Sequence, residues 1–275
     1  IIPFLSTVQN SRDHRKICVI DGKVAFTGGV NLADEYANEI TRFGHWKDTA
    51  IMLKGDAVQS FTMLFLEMWA VNQMEPAECQ NYLTPKHVVP DPLHGYVIPY
   101  GDHPYDNENV GEEVYFHILN HSKKYVHIMT PYLILDSEMI TALTRAAKSG
   151  IEVIIIMPHI PDKWYAFVLA HTYYKELIQA GVSIYEYTPG FVHANVLVSD
   201  DDTATVGTIN LDYRSLYLHF ECGAYIYDHP VVADIEQDFQ ETLKKCQKIS
   251  LTEVENRPVT YKVMGQILRL IAPLM

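Results

Sequence analysis

The chain has 275 residues, of which 48% are hydrophobic and 20% charged, and its formal net charge is −13. This composition excludes a wholly disordered chain, and the length allows one large domain or two of ordinary size. The acidic balance counts against a nucleic-acid partner, because binding to a phosphate backbone draws on basic surface. No stretch reaches the roughly 18 continuous apolar residues that a membrane-spanning helix needs.

Hydrophobic periodicity and turn residues predict alternating strands and helices. Strands are predicted, in chain order, at 16–20, 23–27, 45–53, 96–100, 125–130, 153–157, 182–187, 193–200, 203–206 and near 219–227. Helices are predicted at 57–71, 109–122, 137–149, 163–180 and 231–249. The pattern indicates an α/β protein with mixed sheets, divided into a first lobe (1–74), a proline-rich linker (75–94), a second lobe (95–250) and a tail (251–275).

One pattern of polar residues occurs twice in the chain. The second copy begins at His193, 179 positions after His14. The first copy is His14, Lys16, Asp21 and Asn31, and the second copy is His193, Asn195, Asp200 and Asn210. The matches fall on polar and glycine positions as well as apolar ones, which a shared strand pattern alone does not produce. The repeat therefore predicts two lobes that build one site between them.

The residue types of the motif suit phosphoryl transfer. Residues i and i+2 of a strand face the same side, so His14 and Lys16 are predicted to point together, with Asn31 joining them. Lys16 supplies charge to bind a phosphate, and the amides of Asn31, Asn195 and Asn210 supply donors. A histidine can attack phosphorus or protonate the leaving oxygen, and two histidines can serve opposite faces of the centre. No metal or cofactor is required, because the cations neutralise the phosphate.

Each histidine needs an orienting acid on its second ring nitrogen. Glu221 follows the second motif and Asp48 holds the comparable place after the first, whereas Asp21 and Asp200 complete the motif itself. Taken singly, each feature has an ordinary structural interpretation, since H-x-K is common on solvated strands and Asp-Gly is an ordinary turn. Repetition at fixed spacing favours a functional interpretation. The remaining histidines, His219 among them, show no ligand spacing and are interpreted as core or surface residues.

The stretches 14–31, 46–49, 129–133 and 193–215, followed by Glu221, resemble the phospholipase D superfamily and, within it, the bacterial cardiolipin synthases. The resemblance implies two phospholipase D-like lobes, each with a mixed β-sheet flanked by helices. It also implies a metal-free transfer in which His14 forms a phosphatidyl-histidine from phosphatidylglycerol. His193 then protonates the leaving glycerol and activates a second phosphatidylglycerol, giving cardiolipin.

Asn195 stands where the family pattern has lysine. Losing this cation from the phosphate clamp is expected to slow catalysis on the order of 10²–10³-fold, so the hypothesis is an impaired enzyme, with Asn195 an engineered change or a degenerate copy. Two alternatives stay open. One is a phospholipase D-type hydrolase that uses water as acceptor, and the other is a catalytically dead lipid-binding member.

The resemblance further implies that 1–74 is the C-terminal part of the first lobe. The N-terminal half of that lobe is expected to be missing from this sequence, and so are the membrane helices of the family. Residues 251–275 carry an apolar stripe, which favours either an interfacial helix or a terminal helix docked on its own lobe. The implied partners are phosphatidylglycerol and other anionic phospholipids, at the cytoplasmic face of a bacterial cell membrane. The oligomeric state is left open.

Overall fold

The structure is a computed structural model that describes residues 11–72, 80–83 and 94–274. Its strands are β1 Cys18–Ile20, β2 Val24–Gly28, β3 His45–Lys47, β4 Ala50–Lys54, β5 Tyr96–Asp102, β6 Tyr125–Met129, β7 Glu152–Pro158, β8 Ser183–Tyr187, β9 Gly190–Val192, β10 Val196–Ser199, β11 Thr203–Gly207, β12 Glu221–Tyr227 and β13 Cys246–Lys248. Its α-helices are α1 Ala57–Asn72, α2 Val110–His121, α3 Ser137–Lys148, α4 Trp164–Ala180, α5 Tyr213–Tyr217, α6 Val231–Leu243, α7 Leu251–Glu255 and α8 Val259–Leu270.

An eight-stranded mixed sheet forms most of the second lobe, in the order β13-β8-β7-β6-β10-β11-β12-β5. Strands β6, β7 and β8 are parallel neighbours. The apolar run of β7 is buried on both faces: Val153 and Ile155 share a core with helices α2, α3 and α4, whereas Ile154 and Ile156 share a core with α6 and the first lobe. The predicted α/β class with a mixed sheet is confirmed, and this strand is continuously apolar because helices cover both faces.

The repeated motif folds into two equivalent hairpins. Val19 pairs with Ala25 in the first lobe, and Val198 pairs with Ala204 in the second, in the same register. Strand β4 extends the first hairpin and β12 extends the second, each as an antiparallel third strand. The sequence repeat is therefore also a structural repeat. Within the described residues, the first lobe carries counterparts of β10, β11, β12 and α6.

Three predicted boundaries were wrong, and each error has a physical reason. The single strand predicted at 45–53 is two strands, because β3 pairs in parallel with β9 whereas β4 pairs with β2. Asp48 and Thr49 lie between the two strands and belong to neither. The helix predicted at 231–249 ends at Leu243, since residues 246–248 add the edge strand β13 to β8. The strand predicted near 219–227 begins at Glu221, after the short helix α5.

The predicted linker, 75–94, lies mostly outside the described residues, which include only a 3₁₀ turn at Gln80–Tyr82 and residues 83 and 94. The predicted tail forms α7 and α8. Helix α8 packs on α4 at Gly265, where a Cβ would lie 2.6 Å from Cγ2 of Thr172. Its other side leaves Val263 and Leu270 exposed. The tail thus docks on its own lobe and also presents an apolar face.

Candidate functional site

His14 forms one half of the site, together with a carboxylate of the other lobe. Its Nδ1 donates to the two oxygens of Glu221 at 2.9 and 3.0 Å. Glu221 begins β12 and its side chain is completely buried. Burial alone would raise the pKa of Glu221, but the hydrogen bond from His14, the imidazole of His219 and the hydroxyl of Thr208 outweigh it and lower the pKa. The carboxylate therefore stays ionised beside His14.

His193 forms the other half with Asp48. Its Nδ1 donates to Oδ2 of Asp48 at 3.0 Å, and both side chains are only 6% exposed. The backbone holds the two histidines in matching ways, since His14 N–H donates to the carbonyl of Phe220 at 2.9 Å and His193 N–H donates to that of Lys47 at 2.7 Å. Each histidine is thus fixed by its ring and by its backbone to a strand of the opposite lobe.

The two acids occupy equivalent places in the repeat. Asp48 lies two residues before Ala50, which pairs with Gly28, and Glu221 lies two residues before the partner of Gly207. Both predicted orienting acids therefore contact the histidines, but in a crossed arrangement in which each lobe supplies the acid for the other lobe's histidine. A carboxylate on Nδ1 fixes the tautomer and leaves Nε2 for chemistry. Neither lobe holds a complete pair by itself.

Lys16 is the cation of the first motif copy, and the chain folds it into a largely buried position. Its Nζ donates to the backbone oxygen of His14 at 2.7 Å. Burial lowers the pKa of Lys16 to about 8, and the carboxylates of Glu221 and Asp48 offset only part of that effect. The ammonium is thus held next to the His14–Glu221 pair with few other hydrogen bonds to satisfy it, as a binding group for an anion requires.

The rate constant kcat/KM is expected to fall as the pH rises through about 8, because Lys16 then loses the charge that binds phosphate. Arginine keeps its charge throughout this range, so Lys16→Arg should remove the alkaline decline even if its rate at pH 7 is lower. Initial rates from pH 6 to 10 for both proteins measure this. A decline that persists unchanged in Lys16→Arg would assign the titration to another group.

Lys16→Met is expected to stabilise the fold while abolishing phosphate binding. A lysine whose pKa falls on folding destabilises the native state, fully at pH values below about 8 and progressively less up to its unfolded pKa of 10.5. The gain is on the order of 2 to 3 kcal/mol at pH 7 and shrinks above pH 8. Urea unfolding at pH 7 and at pH 10 measures it, and equal stability of the two proteins at pH 7 would contradict the burial cost.

Asn195 occupies the place equivalent to Lys16 and is 2% exposed. Among the residues that the structure describes, neither polar atom of its amide has a hydrogen-bond partner, and the same holds for the carbonyl oxygen of Asn210. Leaving a buried polar group unsatisfied costs about 1–3 kcal/mol, so unpartnered amides are expected where a ligand completes them. Both residues remain candidates for phosphate binding, as the sequence predicted.

Asn31 was predicted to join His14 and Lys16, and in the structure its side chain contacts Tyr36. Its Nδ2 donates to the hydroxyl of Tyr36 at 2.6 Å, and that oxygen lies 3.5 Å from Nε2 of His193. The loop after β2 folds towards the opposite lobe, which brings Asn31 to the His193 side. Tyr36 was missed by the sequence analysis because it belongs to no repeated pattern, and only the fold brings it to the histidine.

Asp21 and Asp200 end the repeated motif but lie at the hairpin turns, where both adopt positive φ. The side chain of Asp200 accepts the backbone N–H groups of Lys123, Lys124 and Tyr125 at 2.6, 2.9 and 3.0 Å. Burial acts to raise the pKa of Asp200, but these three donors outweigh it and lower the pKa. Asp200 is therefore an anchor for the turn before β6 and does not orient a histidine.

Gly29 is required by the crossed arrangement, because a Cβ there would lie 2.2 Å from Oδ1 of Asp48 and 2.5 Å from the carbonyl of His193. Gly29→Ala is expected to destabilise the fold by about 1–3 kcal/mol and to displace the Asp48–His193 pair, with a loss of activity larger than the loss of stability explains. Urea unfolding and initial rates measure both effects. Gly101→Ala is the matched control, since its Cβ would meet only the mobile end of Leu64; equal effects of the two changes would refute the assignment.

His219 and Trp46 are the other residues that sequence reasoning missed. Each lies two positions before an acid, and each ring flanks a histidine, at 5.5 Å between His219 and His14 and at 5.4 Å between Trp46 and His193. His219 was predicted to be an ordinary core or surface residue, and the structure places its Nδ1 3.5 Å from Oε1 of Glu221. The equivalence of positions 46 and 219 in the repeat was the signal that would have revealed both.

The chain is similar to known proteins in both sequence and fold. The family described as "Cardiolipin synthase, PLD-like domain" matches residues 115–243. A crystal structure of phosphatidylserine synthase from Haemophilus influenzae superposes with a TM-score of 0.74 at 15% identity, over 98% of this chain and 72% of that one. A cardiolipin synthase of Geobacillus kaustophilus is 36% identical over 100% of this chain and 54% of its own length. The resemblance predicted from the sequence is thus supported along the whole chain by similarity to a cardiolipin synthase, and the fold is that of the phosphatidylserine synthase.

A second relative, an uncharacterized protein of Streptococcus mutans, is 55% identical over 100% of this chain and 59% of its own length. The chain therefore spans between half and three fifths of the length of the curated relatives named here. No helix among the described residues is long and apolar enough to cross a bilayer.

Proposed function

We propose that the chain carries the two-histidine centre of a phosphatidyltransferase that makes cardiolipin from two phosphatidylglycerol molecules. The observation that carries the proposal is the crossed pair His14–Glu221 and His193–Asp48, with contacts of 2.9 to 3.0 Å. Two imidazoles, each held on Nδ1 by a carboxylate of the opposite lobe, provide one nucleophile and one acid–base group. The similarity to a cardiolipin synthase of Geobacillus kaustophilus supports phospholipids as the substrate class.

In the first step, Nε2 of His14 attacks the phosphorus of phosphatidylglycerol and forms a P–N bond. The P–O bond to glycerol breaks, and Nε2–H of His193 protonates the departing oxygen. Asp48 stabilises the imidazolium of His193 before this proton leaves, and Glu221 stabilises the positive charge that develops on His14. Lys16 neutralises charge on the phosphate oxygens, so that no metal ion takes part in the proposed route.

In the second step, a hydroxyl of another phosphatidylglycerol gives its proton to Nε2 of His193 and attacks phosphorus. The P–N bond breaks, His14 is regenerated, and the product is cardiolipin. The donor and acceptor are both membrane lipids, so the proposed place of work is the cytoplasmic face of the cell membrane. The net charge of −13 disfavours a nucleic-acid substrate, because phosphate-backbone binding needs basic surface.

A catalytically weak, lipid-binding role is the second candidate, and Asn195 is the observation that favours it. The neutral amide leaves the His193 half without the cation that Lys16 gives the His14 half. Its unpartnered Nδ2–H group can still donate to a phosphate oxygen, so binding is expected to survive where turnover is slowed. The proposal therefore includes reduced activity relative to a protein with lysine at this position.

One assay with radiolabelled phosphatidylglycerol in mixed micelles separates the candidates. Cardiolipin together with an equal amount of free glycerol is the expected outcome. Phosphatidate in place of cardiolipin would identify a hydrolase, and saturable binding without either product would identify a lipid-binding member. The double variant Lys16→Met with His14→Gln is the control, since it removes both the nucleophile and the phosphate cation.

A further inference from the structure

Three potential metal ligands meet in the His14 half of the site. One ligand atom from each of His14, His219 and Glu221 lies within 4.8 Å of the others. Glu221 is fully buried, whereas the side chains of His14 and His219 are 24% and 12% exposed. Within the described part of the chain, neither ring nitrogen of His219 makes a hydrogen bond, and its Nδ1 has only a longer contact of 3.5 Å with Oε1 of Glu221. A largely buried imidazole that lacks a hydrogen bond is costly unless a ligand satisfies it.

The His193 half does not repeat this cluster. The place equivalent to His219 is taken by Trp46, and an indole offers no lone pair to a metal. Only one imidazole and the Asp48 carboxylate remain there, 3.0 Å apart. The repeat thus provides an internal comparison. The His14 half offers two imidazoles and one carboxylate, whereas the His193 half offers one imidazole and one carboxylate.

We propose that His14, His219 and Glu221 bind a divalent transition-metal ion of the Zn²⁺ type, which reversibly blocks His14. Two imidazoles and a carboxylate form a donor set that Zn²⁺ takes at sites with an open fourth position. Mg²⁺ and Ca²⁺ prefer oxygen ligands and are not expected to bind here. The ion takes the place of the proton on Nδ1 of His14, and that proton moves to Nε2 of the same ring. Nε2 then has no lone pair with which to attack phosphorus, which is why the bound ion blocks His14. His14 is partly exposed, which gives the ion its entry path.

Metal binding itself does not depend on the proposed function, whereas the block of transfer rests on it. The binding test uses the chain with His117→Gln, because the exposed pair His117 and His121, four residues apart on α2 with ring centroids 4.2 Å apart, offers a competing site. Calorimetric titration with Zn²⁺ is expected to give one site per chain. Co²⁺ should give the visible absorption of a four-coordinate ion, and Mg²⁺ should give no heat of binding.

In the same background, His219→Phe keeps a ring of similar size and removes both ligating nitrogens. It is expected to weaken Zn²⁺ binding by at least about 10- to 100-fold. That is the loss of metal affinity when only an outer-shell partner of a ligand is removed. His193→Phe is the matched control and should leave Zn²⁺ affinity unchanged. Zn²⁺ binding that survives in His219→Phe, or that weakens equally in both variants, would overturn the proposal.

Thermal unfolding of His219→Phe shows whether the variant is folded, and His219→Asn provides a second test if it is not. Zn²⁺ should inhibit lipid transfer by the parent chain and spare transfer by His219→Phe. If the chain binds Zn²⁺ as expected but forms no lipid product, the proposed function fails and the metal site stands. If it forms cardiolipin but His219 is dispensable for Zn²⁺ binding, the metal site fails and the function stands.

Discussion

His14→Gln is expected to abolish lipid transfer, by about 10⁴-fold or more, together with every trace of a covalent intermediate. Glutamine keeps the size and polarity of the side chain but has no lone pair nucleophilic enough to attack phosphorus. Its amide can still donate to Glu221, so the fold should be preserved, and circular dichroism with urea unfolding checks this. The loss of rate should appear with any donor lipid, whatever its leaving group.

His193→Gln is the matched comparison, because its effect should depend on the leaving group. With phosphatidylglycerol the variant is expected to be inactive, since the glycerol alkoxide leaves without a proton. With a p-nitrophenyl ester of phosphatidate, whose leaving group needs no proton, it should release one equivalent of nitrophenol and then stop as the covalent intermediate. A burst in His14→Gln and none in His193→Gln would reverse the proposed roles of the two histidines.

Asn195→Lys is expected to raise kcat by about 10²-fold, the scale of one electrostatic group aimed at transition-state charge. The change restores to the His193 half the cation that Lys16 gives to the His14 half. The buried amide of Asn195 has no hydrogen-bond partner among the described residues, so its removal breaks no contact seen in the structure. Steady-state transfer rates from phosphatidylglycerol, compared with the parent chain under identical conditions, measure the gain.

Asn195→Gln controls for the length of the new side chain, because it reaches further than asparagine without adding charge. It should leave kcat within a few-fold of the parent, which separates charge from reach. Equal rates for the parent and for Asn195→Lys would mean that the substitution does not impair the chain. In that event the amide of Asn195, and not a missing charge, would have to be the functional group at this position.

Local patterning in the sequence was enough to predict the repeat and its register. Matches such as Val19 with Val198 and Gly28 with Gly207 fix two equivalent hairpins, because strand register follows from the alternation of side chains and from the turn. The two acids, Asp48 and Glu221, were found for the same reason, since their place after the motif is a property of the chain order. Fold class and candidate residues thus depended on short-range information.

What the sequence missed depends on contacts between distant segments. The crossed pairing joins positions 14 with 221 and 48 with 193, and only the packing of one lobe on the other decides which acid meets which histidine. The parallel pair of β3 and β9 is equally long-range, and it splits a run that reads locally as one strand. Tyr36 reaches the site through the same packing and carries no local signature. Trp46 and His219 are marked in the sequence only by their place two residues before each acid.

The same packing explains why Asn31 contacts Tyr36 and why Asp200 proved structural. Strand periodicity says which side chains share a face, but the loop after Gly28 leaves the strand and carries Asn31 across to Tyr36. Asp200 matches Asp21 in the motif, yet its three backbone donors come from 123–125, which no repeat predicts. A repeated residue need not be a catalytic one, since a repeat also preserves the turns that hold it.

The central claim is that His14, oriented by Glu221 from the other lobe, becomes the phosphatidyl-histidine. Rapid acid-free quenching of the chain with short-chain phosphatidylglycerol, followed by peptide mass spectrometry, tests this directly. The prediction is a phosphatidyl adduct on the peptide that contains His14, labile to acid and absent from Glu221→Gln at the same time point. An adduct on the His193 peptide, or cardiolipin formed with no adduct on either histidine, would contradict the account.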